Sequence, residues 1–343
     1  MTRFLVISDI HLHLWNYGDV ESRLVNDTQD IYDALAYGYD NNVDALLFCG
    51  DIFHTHGNIN TIVLNALFNT LTKFRHWMLP KTIFIPGNHD LVYKTTAKVN
   101  SICFLEYFGQ VVTAQSTVGI KNFPMVSALP YTENESELNS FLYTLSDDSI
   151  VMMHQGVSGV EVNSKGFTLN ELLKPALVPD NILHAFTGHY HTRKPVSDKL
   201  TIPGALVQHN FGDAGERRGF LDVTVSGRNL EILFIESKNH TRFVKRSFTD
   251  NLIKELEWAP VHLCIEDVPI NRLTELKSVL DMKEISAKIV TQKIDNIEFQ
   301  KTEKSIKSLD AMFDLYIKNN SLDADLSKIG KGLIDEASKT IPF

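Results

Sequence analysis

Short, mostly apolar segments recur through the first part of the chain, each bounded by turn-forming residues. They are too continuous to be strands with one exposed face, and this pattern is typical of strands that are buried on both faces. The segments are Phe4–Ile7, Ala45–Phe48, Thr82–Ile85, Ile150–Met153 and Ile182–Phe186. Longer amphipathic segments lie between them, so the sequence predicts α/β layers around a mainly buried sheet.

One helix is predicted between the second and third of these segments, from Ile62 to Phe74. Its apolar residues have helical spacing and are Val63, Leu67, Leu71 and Phe74. Asn58 and Asn60 are both candidate N-caps, because an asparagine side chain accepts hydrogen bonds from the first free backbone N–H groups of a helix.

The remainder of the chain has a different pattern. Leu221–Val225 alternates between apolar and polar residues, Ser226-Gly227 is a turn, and Leu230–Ile235 is mostly apolar, which predicts a β-hairpin. Val261–Ile294 predicts a strand, a helix and a second strand. Lys301–Phe343 contains two amphipathic helical segments.

Each of the five predicted strands is followed by residues of types that bind metal ions. These groups are Asp9-Ile10-His11, Gly50-Asp51, Gly87-Asn88-His89-Asp90, His154 and Gly188-His189-Tyr190-His191. In open α/β sheets, ligands gather at the carboxyl ends of the strands, so five separate loops can converge on one place. Carboxylate, amide and imidazole ligands suit Mn²⁺, Fe or Zn²⁺, and the lack of thiolate ligands disfavours a structural zinc site.

The number of candidate ligands suits two metal ions about 3.5–4 Å apart, which need one bridging carboxylate and roughly three further protein ligands each. We assign Asp51 as the bridge. The ligands predicted for one metal are Asp9, His11 and His191, and those predicted for the other are Asn88, His154 and His189. His89 is then left beside the site and is free to act as an acid. Each motif alone also occurs in ordinary turns, so the prediction depends on all five in this order.

In this order the five groups resemble the signature motifs of the calcineurin-like metallophosphoesterases. The resemblance implies an α/β fold, specifically a two-sheet metallophosphoesterase sandwich, with a binuclear metal centre. Such a fold hosts phosphatases, cyclic-nucleotide phosphodiesterases and nucleases, so the fold by itself does not select an activity.

Two further segments resemble the SbcD-like nucleases within this superfamily. The first is Gly50-Asp51-Ile52-Phe53-His54, in which His54 would be a second active-site histidine; protein phosphatases carry Asp-Arg-Gly there instead. The second is Ile202–Phe220, where Arg217 and Arg218 are candidates for contacts with DNA phosphates. Gly204-Ala205 stands in this segment where the family has Gly-Ser.

The resemblance also implies the domain organisation. Residues 1–240 would form the metallophosphoesterase domain, residues 241–300 a small α/β capping domain, and residues 301–343 a C-terminal pair of helices that docks on the ATPase partner. Within this pair, Ser308–Tyr316 is similar to tailed-phage recombination endonucleases. The predicted docking residues are Leu309, Phe313, Tyr316, Leu326, Ile329 and Leu333.

These observations predict a Mn²⁺-dependent DNA nuclease subunit with two metal ions. His89 would protonate the leaving oxygen or stabilise charge on the phosphate, and Asp90 would stabilise its loop and is a candidate for tuning that acid. The resemblance implies double-strand exonuclease and single-strand endonuclease activity, a homodimer, and an SbcC-like SMC-family ABC ATPase as partner. A small-molecule phosphodiesterase or phosphatase is the alternative, followed by a non-catalytic scaffold with the same fold.

Composition changes this picture only in part. The formal net charge of −9 is unusual for a protein that binds nucleic acid, although metal ions would offset some of the acidic residues. Three cysteines without pairable spacing indicate a reducing compartment. No apolar run approaches the roughly 20 residues that a membrane helix needs, so we expect a cytoplasmic protein with no membrane contact.

Overall fold

A computed structural model describes residues 1–15, 20–74, 80–121, 124–161, 168–257, 259, 261–292 and 331. The strands of this part of the chain are β1 (Thr2–Ile7), β2 (Ala45–Phe48), β3 (Lys81–Phe84), β4 (Leu91–Tyr93), β5 (Thr96–Asn100), β6 (Gln110–Val111), β7 (Ser116–Gly119), β8 (Met125–Leu129), β9 (Ile150–His154), β10 (His184–Gly188), β11 (Lys194–Ser197), β12 (Leu200–Ile202), β13 (Gly219–Ser226), β14 (Asn229–Glu236), β15 (Arg242–Ser247), β16 (Val261–Val268) and β17 (Ala287–Thr291). The α-helices are α1 (Val20–Asp40), α2 (Thr61–Thr72), α3 (Glu135–Tyr143), α4 (Leu252–Glu255) and α5 (Leu273–Met282). Short 3₁₀ helices lie at Asn88–Asp90, Cys103–Tyr107, Pro175–Leu177, Phe211–Asp213 and Ile270–Arg272.

Two six-stranded sheets form the main body. The first has the order β14-β13-β1-β2-β3-β6, and the second has the order β11-β12-β10-β9-β8-β7. In the first sheet β1, β2, β3 and β6 are parallel, while β13 and β14 add an antiparallel edge. In the second sheet β8, β9, β10 and β12 are parallel between two antiparallel edge strands. The predicted two-sheet sandwich is therefore confirmed.

Successive side chains of a β-strand point to opposite faces of the sheet. Alternate residues of each central strand therefore pack in different hydrophobic cores. Phe4 and Val6 face the second sheet, where they pack in one cluster with Met152 and Phe186. The rings of Phe4 and Phe186 lie 6.3 Å apart in an edge-to-face arrangement. Burying each such side chain contributes about 1.5–3 kcal/mol. Because both faces of these strands are buried, their sequences are continuous runs of apolar residues.

Helices cover the outer faces of the sandwich. Leu5 packs on the outer face of the first sheet in a cluster that includes Leu35 of α1 and Leu67 of α2. The helix α3 covers the second sheet in a separate cluster. Asn60, one of the two predicted N-caps, begins α2, and its side chain accepts a 2.8 Å hydrogen bond from the Ile62 N–H.

A three-stranded sheet with the order β15-β16-β17 follows the sandwich. It forms its own core with α5, in which Leu263 and Ile265 of β16 contact Leu276 and Leu280. The predicted strand, helix and strand are confirmed here, and β15 is an additional parallel strand beside β16. The boundary predicted near residue 240 stays a prediction.

The hairpin predicted after residue 220 is also confirmed, as β13 and β14. Apart from Lys331, the helical pair predicted at 301–343 lies outside the described residues, as do its docking residues Leu309, Phe313, Tyr316, Leu326, Ile329 and Leu333. Within the described part of the chain, no helix combines the length and apolar character that a membrane crossing needs.

Candidate metal centre

The structure brings all seven predicted metal ligands to one end of the sandwich. The first sheet supplies residues after β1, β2 and β3, and the second supplies residues at the ends of β9 and β10. Short contacts, one of them through the His189 backbone N–H, connect the seven residues across the seam between the sheets. These contacts are His11 Nε2 to His191 Nε2 (3.1 Å), His11 Nε2 to Asp51 Oδ2 (3.4 Å), His154 Nε2 to Asp51 Oδ2 (3.3 Å), His154 Nε2 to Asn88 Oδ1 (3.2 Å), His189 Nδ1 to Asn88 Oδ1 (2.8 Å) and the His189 N–H to Asp9 Oδ1 (3.1 Å).

Asp51 lies in the middle of this network. Its Oδ2 atom contacts His11 from the first sheet and His154 from the second. Its Oδ1 atom accepts a 2.8 Å hydrogen bond from the His89 backbone N–H. One carboxylate therefore faces both sets of candidate ligands, which is the position that a bridging ligand requires.

The orientation of His154 is set by the backbone. Its Nδ1 lies 2.7 Å from the Cys49 carbonyl oxygen, so Nδ1 carries the proton and donates it. The Nε2 atom then faces oxygen atoms of Asp51 and Asn88. A carbonyl that fixes the tautomer of a histidine in this way is a common feature behind metal ligands.

Backbone strain is concentrated among the candidate ligands. Asp9, His11 and Asp51 have φ between 50° and 52°, and His189 has φ of 93°. Residues other than glycine rarely adopt such backbone conformations, which cost about 1–3 kcal/mol each and cluster at functional sites. Gly50 relieves crowding beside them, since a Cβ at this position would lie 2.8 Å from the Gly87 backbone and would collide with the His154 ring.

The two carboxylates at this end are both buried, but the chain compensates them unequally. Asp9 is fully buried and Asp51 is 2% exposed. Burial, together with the negative charge of Asp51, raises the pKa of Asp9 to about 7. Burial would also raise the pKa of Asp51, but the charge and hydrogen bond of His154 outweigh it and lower that pKa to about 2.

Most of the candidate imidazole ligands are held in the neutral form. Burial and the charge of His154 lower the pKa of His189 to about 3. Burial lowers the pKa of His191 to about 4 and lowers that of His11 well below its ordinary value. His154 is the exception, because the charge of Asp51 outweighs burial and raises its pKa to about 9. Neutral imidazole is the form that binds metals.

The donor set fits divalent cations. The ligand atoms of Asp9, Asp51 and His154 lie within 4.8 Å of one another, and the buried carboxylates need positive charge nearby. The ring nitrogen and oxygen atoms of the candidate ligands face one another. A neutral imidazole has a single N–H group, so it can donate a hydrogen bond to only one of these neighbours. A cation accepts lone pairs from all of these facing atoms at once. Two metal ions could therefore be held by the seven candidate ligands, which are Asp9, His11, Asp51, Asn88, His154, His189 and His191.

His89 and Asp90 occupy the loop after β3. The Nδ1–H of His89 donates a 2.6 Å hydrogen bond to the His54 carbonyl, which leaves Nε2 for a substrate proton. Asp90 is fully buried and accepts hydrogen bonds from the backbone N–H groups of Ile52, Phe53 and Gly87. Burial and the charge of Asp51 raise the pKa of Asp90 to about 7. Its carboxyl group ties the loop after β2 to the loop after β3.

His54 is half-buried beside the centre, with its Nδ1 atom 3.3 Å from His11 Nδ1. It belongs to a row of stacked or tilted rings along one side of the site. In order, the row is Trp15, His13, His54, His89 and His56, with centroids 3.6, 4.2, 5.1 and 4.6 Å apart. The sequence predicted His54 and His89 at the site but gave no signal for the other three.

His209 is a second residue that sequence reasoning missed. It is buried, its Nε2–H donates to the Asp9 carbonyl at 2.9 Å, and its ring lies against those of His11 and His191. The hydrogen bond supports Asp9 in its strained conformation. His209 is a lone histidine in a loop without metal-ligand spacing, so only the folded chain reveals its position.

Arg23 of α1 joins this end of the sandwich to the small sheet. Its guanidinium carbon lies 3.4 Å from the centroid of Trp15, and its Nη2 donates to the Gln208 carbonyl at 3.0 Å. Its Nη1 lies 3.3 Å from Nε2 of His262 in β16. Burial of this arginine therefore fixes the small sheet beside the site.

The two predicted DNA contacts have different surroundings. The Arg217 side chain is 68% exposed and forms two 2.7 Å contacts with Glu236. Arg218 is only 1% exposed, and its Nη2 lies 2.9 Å from Asp213 Oδ1. The guanidinium of Arg218 is therefore buried beside a cavity, and the DNA contacts of both arginines stay predictions.

A family model described as calcineurin-like phosphoesterase matches residues 2–193. The chain is also similar to "Putative phosphoesterase 244L" of Invertebrate iridescent virus 6, with 25% identity over 199 residues. That alignment covers 52% of this chain and 64% of the viral protein, so the chain spans slightly less than two thirds of the length of this relative.

Among solved structures, the chain is similar to a dimetal phosphatase from Danio rerio. The TM-score is 0.43 and the sequence identity is 12%, and the match covers 69% of this chain and 99% of that chain.

Proposed function

This chain belongs to the calcineurin-like phosphoesterase family, and we propose that it is a metal-dependent DNA nuclease subunit. The observation that carries the proposal is the position of Asp51, whose Oδ2 atom faces His11 on one side and His154 on the other. Six oxygen and nitrogen ligands around one shared carboxylate suit a binuclear phosphodiesterase. Mn²⁺ is the proposed metal, because it accepts this mixture of carboxylate, amide and imidazole ligands.

Two divalent ions bound there would polarise the scissile phosphate and lower the pKa of an attacking water. Asp9, His11 and His191 would hold one ion, Asn88, His154 and His189 would hold the other, and Asp51 would touch both. The buried carbonyl of Cys49 keeps the His154 lone pair directed into the centre.

His89 is the proposed general acid. Its Nδ1–H is engaged with the His54 carbonyl and its backbone N–H with Asp51, so the ring is fixed in position. The Nε2 atom is left to hold a proton and to deliver it to the leaving oxygen of the phosphodiester. Asp90 positions this loop through its three backbone hydrogen bonds.

DNA is the proposed substrate because the segment from Gly50 to His54 resembles that of SbcD-like nucleases, and His54 lies beside the centre. By that resemblance we propose double-strand exonuclease and single-strand endonuclease activity, a homodimer, and an SbcC-like ABC ATPase as partner. Deleting Lys301–Phe343 should then abolish co-purification with the ATPase and leave basal Mn²⁺-dependent cleavage in place.

A small-molecule phosphodiesterase or phosphatase is the second candidate. The net charge of −9 favours it, because nucleic-acid binding usually needs a basic face. The name of the similar viral protein, a phosphoesterase, is compatible with it as well.

A nuclease assay of the purified chain with Mn²⁺ separates these candidates. Linear duplex DNA, circular single-stranded DNA and bis(p-nitrophenyl) phosphate should be tested in parallel, with and without the proposed ATPase partner. The proposal predicts cleavage of DNA that Asp51→Asn abolishes. Hydrolysis of small phosphodiesters or nucleotides, with every DNA substrate left intact, would establish the second candidate instead.

A further inference from the structure

A cavity of about 390 Å³ lies between the small sheet and the loop that precedes β13. Gln208, Arg217 and Arg218 line it from the loop side, and Arg242 and Lys245 of β15 line it from the other side. None of these residues belongs to the metal centre described above. The cavity therefore lies between the sandwich and the small sheet, and the proposed metal-dependent chemistry does not involve its lining residues.

The lining of this cavity is richer in positive charge than the chain as a whole. It contains the cations Arg217, Arg218, Arg242 and Lys245 and the anions Glu216 and Glu236. Counting Asp213, which pairs with Arg218, cations still outnumber anions by four to three. The whole chain has a net charge of −9. A local excess of cations in an acidic protein indicates a place for an anion.

Two of the four cations have no partner within the described part of the chain. Arg217 is bonded to Glu236 and Arg218 is paired with Asp213. The exposed side chains of Arg242 and Lys245 make no ion pair or hydrogen bond with any described residue. Their charges are available to a ligand in the cavity.

The side chain of Arg218 provides a second observation that indicates an anion site in this cavity. The side chain is 1% exposed, yet its Nε, Nη1 and Nη2 atoms have no hydrogen-bond partner among the residues that the structure describes. Asp213 lies close enough for an ion pair but is not aligned as an acceptor. Buried donors are almost always satisfied, and the planar guanidinium fork matches the oxygen atoms of a phosphate group.

The cavity is also adjacent to the metal centre along the chain. Gln208 in its wall accepts a 2.7 Å hydrogen bond from the Phe243 N–H and donates one to the Glu216 carbonyl. The next residue, His209, packs against the rings of His11 and His191. The Gln208–His209 segment therefore contributes to both the cavity wall and the surroundings of the metal centre.

We propose that this cavity is a phosphate-binding site for a backbone phosphate that flanks the scissile bond, with Arg218, Arg242 and Lys245 as its cationic ligands. The identification of the phosphate as part of a DNA strand rests on the proposed function; the binding of a phosphoryl oxyanion does not. Free phosphate has the same chemistry, so the two sources need separate tests.

The test uses the full chain and the double variant Arg242→Ala/Lys245→Ala. Both side chains are exposed, so the substitution leaves the fold intact. The matched control is Lys254→Ala/Lys277→Ala, which removes the same charge from exposed helix positions of the small domain outside the cavity. Single-stranded oligonucleotide binding should be measured with Ca²⁺ in place of Mn²⁺ over a range of salt concentrations, and inorganic phosphate binding by calorimetry.

Oligonucleotide binding by the double variant should weaken about tenfold, and the slope of log K against log salt should fall by roughly 0.7 for each phosphate that the variant no longer neutralises. The ratio of kcat/KM for the oligonucleotide to that for bis(p-nitrophenyl) phosphate should fall by the same factor, whereas the control should match the wild type. Charge reversal with Arg242→Glu/Lys245→Glu should enlarge each effect.

Equal oligonucleotide affinity and salt slope in the double variant and the control would overturn the proposal. If only inorganic phosphate binding weakened, the site would bind free phosphate and the flanking-strand assignment would be wrong. If the wild type cleaved no DNA but lost oligonucleotide affinity with the double substitution, the proposed function would fail while the phosphate site stood.

Discussion

Two regions of the molecule bury an aspartate carboxylate, and they shift its pKa in opposite directions. Asp30 of α1 is 2% exposed and Asp9 at the metal centre is fully buried. Asp30 accepts hydrogen bonds of 2.8–3.1 Å from Lys238, Asn239 and His240. Burial would raise the pKa of Asp30, but these donors outweigh it and lower that pKa. Burial raises the pKa of Asp9 to about 7.

The difference shows what each region is built for. Around Asp30 the chain supplies its own donors and needs nothing from solution. Around Asp9 and Asp51 it places mainly neutral imidazoles and a second carboxylate, and it strains the backbone to do so. A buried carboxylate that the fold compensates only in part is stabilised in its charged form when a cation binds beside it.

The largest effect is expected from removing the shared carboxylate. Asp51→Asn should lower phosphodiester hydrolysis to the level of metal-free protein, because each metal ion would lose its common ligand. The fold should remain intact, as measured by circular dichroism. Asp198→Asn, on the exposed turn between β11 and β12, is the control and should keep full activity. An active Asp51→Asn protein would refute the binuclear assignment.

A second substitution separates chemistry from metal binding in the same region. The proposed ligand set is complete without His89, so His89→Ala should retain both ions and lose about 10²- to 10⁴-fold in turnover. Single-turnover kinetics with elemental analysis would measure both quantities. His56→Ala, which removes the exposed ring stacked on His89, is the matched control. Loss of one metal in His89→Ala would show that His89 is a ligand.

The smallest effect is expected at the self-compensated carboxylate. Asp30→Asn should lower the free energy of unfolding at pH 7 by roughly 1.5–3 kcal/mol, the contribution of a hydrogen bond to a charged group. Because the folded-state pKa of Asp30 is lowered, its stabilisation is present above the unfolded pKa of about 3.9 and is lost as the pH falls through the folded value.

Urea unfolding between pH 7 and pH 3 would measure this effect, and Asp30→Asn should show a weaker loss of stability on acidification than the wild type. Asp33→Asn is the control, because Asp33 lies in the same helix but is exposed. If Asp30→Asn unfolded with the same free energy and pH dependence as Asp33→Asn, the chain's own donors would not be what stabilises the buried carboxylate.

The sequence predicted the parts of the fold whose burial follows a regular pattern. The apolar runs at Ala45–Phe48 and Ile150–Met153 match β2 and β9, because strands buried on both faces contain few polar residues. The fifth run was displaced: β10 spans His184–Gly188, not Ile182–Phe186, because the buried strand continues through Thr187 and Gly188, whereas Ile182 and Leu183 are buried before it begins.

The elements that were missed have polar residues at buried positions. The helix α1 was not predicted because Arg23, Asp27 and Asp30 are buried along it and interrupt its apolar spacing. The edge strand β15 was missed because Arg242–Ser247 is mostly exposed and charged. In both cases the stabilising partners are far along the chain, so local sequence does not reveal them.

The candidate site was more accessible to prediction than its surroundings. All seven predicted ligands follow strands whose ends meet at one edge, so their convergence follows from the order of the strands. His209 comes instead from the loop before β13 and contacts Asp9 across 200 positions of sequence. The burial of Arg218 was also invisible, since adjacent arginines look alike in a sequence.

The number of Mn²⁺ ions bound per chain tests the central claim most directly, namely that the fold leaves charge at this centre for metal ions to compensate. Elemental analysis after equilibrium dialysis should give two ions for the wild type, about one for Asp9→Asn and fewer than one for Asp51→Asn. Asp30→Asn should keep two. A wild-type chain without bound metal, or an Asp51→Asn chain that still holds two ions, would contradict the account.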